Sequence, residues 1–144
     1  MKTYETHHLV KGEDLNHHGT LFAARAAAWL VEAGFATIAC EYGNPDEIVM
    51  RNLQNMSFSS PVKKGTVVKF TGRVVYTGST SLTVAVTAQD AISGEVAIEG
   101  YITFVTIDKD TGKKKAHNIV LDEACDEAEN RQREKALQLQ GQRV

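Results

Sequence analysis

NHHGTLFAARAAAWLVEAG, which spans Asn16 to Gly34, predicts the helix around which the fold is built. After the opening polar residues, the segment continues for about four helical turns with only two charged side chains, Arg25 and Glu32. A helix that is apolar on nearly every side is typical of a protein interior, because a surface helix keeps a polar face in water. We therefore expect a buried helix over residues 20–33, with Thr20 as its N-cap and Gly34 as its C-cap.

The composition predicts one domain and argues against several classes of protein. The chain has 144 residues, enough for one hydrophobic core. A formal net charge of -2 and a pI near 6.2 argue against general nucleic-acid binding. We expect a cytoplasmic protein with no membrane contact, because no signal peptide is recognisable and a helix of about 15 residues is too short to span a bilayer. Cys40 and Cys125 have neither zinc-site nor disulfide spacing, and we expect Cys40 in the core.

Alternation of apolar and polar residues predicts an antiparallel sheet downstream of the helix. The alternation is clearest in three runs, 66–76, 82–88 and 96–104, and the short turns between them favour hairpins. In the first run, Tyr76 shares the apolar face with Val74. Further strands are predicted over Tyr4–Val10, Phe35–Tyr42 and residues 47–59. One apolar and one polar face are typical of a sheet that is covered on a single side.

The order of these elements predicts an α+β fold. A sheet of five or six antiparallel strands would wrap around one long buried helix, and a charged C-terminal helix would follow over Leu121–Gln140. We divide the chain into a domain over residues 1–120 and a helix or tail over residues 121–144. The unpaired sheet edges predict association with a second copy of the chain.

Three stretches resemble the hotdog-fold acyl-CoA thioesterases. Asn16–Phe22, NHHGTLF, followed by a pair of small residues and a helix, is similar to the opening of that family. Phe58–Val68, FSSPVKKGTVV, is similar to its F-x-x-P-V-x-x-G-x-x-V motif, and YTGSTS (76–81) and FVTID (104–108) fall where the family has like segments. The resemblance implies a hotdog fold, hydrolysis of an acyl-CoA to a free acid and coenzyme A, a homodimer or larger homo-oligomer, and no cofactor apart from the coenzyme A of the substrate.

The same resemblance implies the parts of a catalytic site. Thioester hydrolysis needs a carboxylate as base or nucleophile, and hydrogen-bond donors where negative charge develops on the carbonyl oxygen. By position, the polar loop residue is Asn16, and the donors are the backbone N–H groups of Ala23 and Ala24 at the start of the helix. The carboxylate of the family falls at Val31, so the candidate acid is the neighbouring Glu32, which one helical step rotates by about 100°.

Two interpretations of Glu32 stay open: a catalytic carboxylate, or a structural acid on the same helical face as Arg25. Substrate contacts are expected at Gly19 and Phe22. The phosphates of coenzyme A are expected to meet cationic side chains, for which the candidates are Arg51, Lys63 and Lys64.

Two other functions also stay open. In a non-catalytic acyl-CoA-binding dimer, Val31 would mark a lost acid. In a hotdog-fold enoyl-CoA hydratase, Asp14 and His18 would act on the double bond, although the motif lacks a proline and places the histidine one residue early. The adjacent pairs His7–His8 and His17–His18 have no metal-site spacing, so no metal is expected.

Overall fold

The computed structural model describes residues 1–141, and within them five strands form one antiparallel sheet with two α-helices packed against it. The strands are β1 (Tyr4–Leu9), β2 (Ile48–Phe58), β3 (Val67–Thr77), β4 (Ser81–Asp90) and β5 (Val96–Thr106), and the helices are α1 (Ala23–Tyr42) and α2 (Glu127–Gly141). The strand order is β1-β3-β4-β5-β2, which leaves β1 and β2 at the edges. The predicted α+β architecture is confirmed. Residues 142–144 of the predicted tail lie outside the described residues.

Helix α1 continues through residues 35–42, so the strand predicted there is wrong. The buried residues Gly34, Thr37 and Ile38 extend the helical spacing of Leu30 and Ala33, and packing on the sheet therefore favours helix over strand. Gly34 is not a cap: it lies inside the helix, where a Cβ atom would come within 2.8 Å of Ile102 Cδ1. The helix ends instead at Gly43, whose φ of 89° is left-handed and whose N–H donates to the Ala39 carbonyl.

The start of α1 and its surroundings also differ from the prediction. The helix begins at Ala23, and the N-cap position is occupied by Phe22, which makes no side-chain capping bond. Thr20 is not a cap, because its hydroxyl is bound to Asn16 in the preceding loop. Cys40, expected in the core, is exposed on the outer side of the helix.

Only one side of α1 is covered in the single chain. The covered side contains Ala26, Trp29, Leu30, Ala33, Gly34, Thr37 and Ile38. Ala24, Arg25, Ala28 and Glu32 are exposed, so burial on every side is wrong for one copy of the chain. At 20 residues, α1 is long and apolar enough to cross a bilayer by length and composition alone, so the length of the helix does not exclude a membrane span. In this structure the helix packs against the sheet.

The face of the sheet opposite α1 is covered in part by α2, although a single covered face was predicted. Ala136 and Leu139 pack on a second apolar cluster formed by Val75, Ala85 and Tyr101. A bulge between the pairs Val74↔Val84 and Tyr76↔Thr83 makes Val75 an extra residue, and Tyr76 packs against this cluster and not with Val74.

Helix α2 begins at Glu127, six residues later than predicted. The carboxylate of Asp126 accepts the Glu129 N–H at 2.8 Å, which is the usual contact of an N-cap. Leu121 and the residues up to Cys125 are therefore outside the helix.

Candidate active site

The loop that precedes α1 is closed by its own backbone. Leu15 and Leu21 form an antiparallel bridge, and the Asn16 N–H donates to the Thr20 carbonyl at 2.7 Å. Gly19 has a φ of 79°, a left-handed conformation that glycine adopts without steric cost. The loop is therefore a tight turn that presents Asn16 in one conformation.

The Asn16 amide has a defined orientation. Its Oδ1 accepts the backbone N–H groups of His18 at 2.9 Å and Thr20 at 3.2 Å, and only the oxygen of an amide can accept. The nitrogen Nδ2 lies 3.1 Å from the Thr20 hydroxyl, to which it donates one hydrogen. Within residues 1–141 the second hydrogen of Nδ2 has no acceptor, so Asn16 retains one donor for a bound molecule.

Asn16 opens onto a surface depression of about 340 Å³. Its lining also includes Thr20, Leu21, Ala23 and the segment Phe58, Ser59, Ser60, Pro61 and Val62. The Leu21 N–H donates to the Val62 carbonyl at 2.8 Å, which joins the two walls of the depression. The fold therefore brings together the two motifs, 42 positions apart in the chain by their first residues (16 and 58), on which the resemblance was based.

The start of α1 provides backbone donors at the same depression. The first N–H groups of a helix have no acceptor inside the helix, and Phe22 provides no capping side chain. Ala23 lines the depression directly, and Ala24 follows it on the exposed side of the helix. The positive end of the helix dipole also favours negative charge here.

Glu32 lies on the exposed side of α1 and makes no hydrogen bond or ion pair with any residue from 1 to 141. Arg25 does not pair with it: the Arg25 Nε lies 3.3 Å from Asp14 Oδ1. Val31, one helical step away, is half-buried. The structural alternative of an Arg25–Glu32 pair is therefore not realised in the single chain, and the Glu32 carboxylate faces solvent.

The expected substrate-binding residues do not all lie at this depression. Phe22 is 52% exposed beside the start of α1. Lys63 forms an antiparallel bridge with Thr20, so it adjoins the Asn16 loop, and Lys64 is exposed next to it. Arg51 is the extra residue of a bulge in β2 and is not part of the lining.

Asp14, the acid of the hydratase alternative, already has partners within the chain. Asp14 is buried, its Oδ2 accepts the Lys11 N–H at 2.9 Å, and its Oδ1 faces Arg25. His18 is exposed and its ring lies against that of His17, with centroids 3.9 Å apart. Among residues 1–141, no group of three or more His, Cys, Asp or Glu side chains is arranged to hold a metal ion.

Sequence reasoning did not predict the burial and pairing of two carboxylates that flank α1. One is Asp14. Its partner, Arg25, lies on α1 whereas Asp14 lies before the helix, so the spacing of residues along a helix does not predict this pair. The other is Glu47, which accepts hydrogen bonds from Tyr42 and from Lys115. The hydrogen bond from Lys115 and then that from Tyr42 lower the pKa of Glu47. No local signal reveals such a pair, because its members are 68 residues apart.

Known proteins with similar sequences and structures identify the family. A sequence profile described as the thioesterase superfamily matches residues 18–97. The acyl-CoA hydrolase of Staphylococcus aureus, solved with butyryl coenzyme A, coenzyme A and coenzyme A disulfide, is 27% identical over 94% of this chain and 80% of its own, with a TM-score of 0.83.

Two further structures are similar. A hexameric acyl-CoA thioesterase in its apo form is 26% identical over 96% of this chain and 88% of its own, with a TM-score of 0.78. The acyl-CoA hydrolase of Bacillus cereus shares the fold at 24% identity, 98% and 85% coverage and a TM-score of 0.77. Among the curated proteins compared, none matches this chain. With more than half of its length matched by the family profile, the chain belongs to the thioesterase superfamily and is a thioester hydrolase with the hotdog fold.

Proposed function

We propose that this thioester hydrolase acts on acyl-CoA and releases a free acid and coenzyme A without a further cofactor. The observation that carries the proposal is the depression in which the Asn16 amide and the free N-terminus of α1 meet. The butyryl coenzyme A complex of the S. aureus hydrolase supports acyl-CoA as the substrate class. The cytoplasm remains the proposed location.

The donors at this site suit a thioester carbonyl. As a nucleophile attacks, the carbonyl oxygen gains negative charge, and donors aimed at it lower the barrier most when they are already in place. We assign this role to Asn16 Nδ2 and to the N–H groups of Ala23 and Ala24. The oxygen of the Asn16 amide is held by two backbone groups, so the donor does not need to reorient during the reaction.

The carboxylate is assigned to Glu32, as base or nucleophile. Its free side chain lies on the exposed side of α1, where a second copy of the chain can cover it. In the composite site proposed here, Asn16 of one copy faces Glu32 of its partner. The apo-hexameric acyl-CoA thioesterase supports homo-oligomerisation, and so does the β2 edge, where Val49 and Met50 are exposed.

The remaining candidates are assigned to binding of the substrate. Phe22 and Phe58 offer exposed apolar surface to the acyl chain, and Ala23 lines the depression together with Phe58. Gly19 shapes the loop beside the thioester. Two lysines adjoin the loop and one arginine lies on β2, and we assign the phosphates of coenzyme A to these cations: Lys63, Lys64 and Arg51.

The test is thiol release from a panel of acyl-CoAs from acetyl to palmitoyl, with binding measured by calorimetry on the same samples. We expect turnover of at least part of the panel. Binding of acyl-CoA without thiol release would show that the protein is a non-catalytic acyl-CoA-binding dimer, in which Val31 marks a lost acid. Loss of the double bond of an enoyl-CoA without thiol release would favour the hydratase.

A further inference from the structure

Asp14 is a buried acid that the proposed mechanism does not use. Its side chain is 4% exposed, whereas that of its partner Arg25 is 47% exposed. A buried carboxylate is retained only when it is paired, because burial of an isolated charge is very unfavourable. The contacts of Asp14 therefore indicate which parts of the chain it holds together.

Asp14 joins the Asn16 loop to the first turn of α1. On the loop side, its Oδ2 accepts the Lys11 N–H at 2.9 Å. On the helix side, its Oδ1 lies 3.3 Å from Arg25 Nε. The backbone carbonyl of Asp14 also accepts the N–H of Phe22 at 2.8 Å. Asn16 follows two residues after Asp14, and Arg25 follows directly after Ala24.

We infer that Asp14 and Arg25 are positioning residues that set the Asn16 amide against the N–H groups at the start of α1. The inference rests on the proposed function, because it needs both groups to bind one carbonyl oxygen. The pair touches no reacting atom and acts through Asn16. Donors that lie about 1 Å out of place cost on the order of 10²-fold in rate, so a small displacement of the loop is sufficient.

The first experiment removes the guanidinium and then restores a cation. Arg25→Met keeps the length of the side chain and should lower kcat by about 10- to 100-fold, with a smaller change in KM, because the donors act mainly on the transition state. Arg25→Lys should recover part of the loss, since an ammonium can still face Asp14. A kcat equal to that of the wild type in Arg25→Met would overturn the inference.

The second experiment asks whether the effect passes through Asn16. In an Asn16→Ala background the donor is already missing, so Arg25→Met should lower kcat little further. If Arg25→Met causes the same fold loss in both backgrounds, the arginine acts on the reaction by another route and the inference is wrong.

A matched control separates positioning from stability. Glu129 is also a buried acid, paired with Arg133 at 2.6 Å, but it lies on α2, which packs on the opposite face of the sheet. Glu129→Gln should lower the melting temperature and leave kcat unchanged at temperatures well below melting. An equal loss of kcat in Glu129→Gln and Arg25→Met would show that the Asp14–Arg25 pair only stabilises the fold and does not position Asn16.

Amide hydrogen exchange gives a readout that does not depend on activity. Arg25→Met should accelerate exchange at Phe22 and Thr20, whose N–H groups donate to the Asp14 carbonyl and to Asn16 Oδ1, while Glu129→Gln should not. Unchanged exchange at both amides would overturn the inference. If the wild type hydrolyses no acyl-CoA, the proposed function fails by itself, and the exchange data still report whether the pair holds the loop.

Discussion

At the residue scale, the candidate site depends on the position of one carboxylate. The family places its acid at Val31, whereas this chain has valine there and glutamate at the next position. In the structure, Glu32 is unpaired within residues 1–141 and exposed, and Val31 is half-buried. An exposed carboxylate that has no partner within residues 1–141 is consistent with a role at a contact with a second copy of the chain.

Glu32→Gln should lower kcat by about 10²-fold or more, because the amide keeps the shape of the side chain and removes the base or nucleophile. The measurement is steady-state thiol release, with acyl-CoA binding measured separately to show that the site remains formed. Val31→Asp is the companion variant, and it should preserve or raise activity if the geometry of the family persists. A Glu32→Gln enzyme with the wild-type rate would remove Glu32 from the mechanism.

At the element scale, α1 and the sheet approach closely where the strands have glycine. A Cβ atom on Gly72 of β3 would collide with the Thr37 hydroxyl and lie 3.5 Å from the Ala33 carbonyl oxygen. Thr37 cannot easily move aside, because it is fully buried and its hydroxyl donates to that carbonyl at 2.9 Å. The absence of a side chain at Gly72 therefore sets the distance between helix and sheet.

Gly72→Ala should lower the free energy of unfolding by about 1–3 kcal/mol, the usual cost of an extra methyl group in a packed core. Urea denaturation measures the change. The control is Gly12→Ala, because a Cβ atom there would meet nothing within 4 Å. Equal stabilities of the two variants would show that α1 shifts without cost.

The second element that gives a testable prediction is α2. Its residue Glu129 accepts hydrogen bonds from Met1 and Cys125, which lie outside the helix. Burial by itself would raise the pKa of this acid, but hydrogen bonds from the Met1 amine, the Cys125 N–H and the Arg133 guanidinium outweigh burial and lower it to about 2. A group whose pKa is lower in the folded chain stabilises the fold above its ordinary value of 4.5, and this stabilisation is lost as the pH falls towards 2.

The melting temperature should therefore fall as the pH decreases from about 4.5 towards 2, and Glu129→Gln should weaken this dependence. Thermal melts in a series of buffers test the expectation. Glu123→Gln is the control, because Glu123 is exposed and has no ion pair within residues 1–141. If Glu129→Gln and the wild type lose stability equally on acidification, other carboxylates cause the loss.

At the scale of the whole molecule, one copy of the chain leaves surfaces that a second copy would cover. The outer side of α1 exposes Ala24 and Ala28, and the edge strand β2 exposes Val49 at 46% and Met50 at 42%. An exposed apolar edge strand favours pairing with another chain. The proposed site uses this arrangement, because it takes Asn16 and Glu32 from different copies.

Complementation between inactive variants tests that arrangement. Asn16→Ala and Glu32→Gln should each be nearly inactive, and refolding them together should place them in the same dimer about half of the time. Each mixed dimer has one intact site and one doubly altered site, so about a quarter of the wild-type activity should return. The controls are the two variants refolded alone. Mixed dimers seen by mass spectrometry without recovered activity would contradict the composite site.

Much of the fold could be predicted because it follows from short-range patterns. The alternation in residues 66–104 predicted β3, β4 and β5 and their hairpins, and the family resemblance placed Asn16 in a loop before α1. The segment Phe35–Tyr42 could not be assigned in this way, because its β-branched and aromatic residues also suit a strand. Helix prevails there because Thr37 and Ile38 continue the buried face against the sheet.

The periodicity of the strands, the turns and the motif shared with the thioesterases followed from the sequence, because each of these depends on neighbours a few residues apart. Three features became visible only in the folded chain: Asp14 pairs with Arg25, Glu32 has no partner within residues 1–141, and a bulge at Val75 places Tyr76 against α2. These features depend on packing between elements that are distant in the chain, and the spacing of residues along the chain does not encode such contacts.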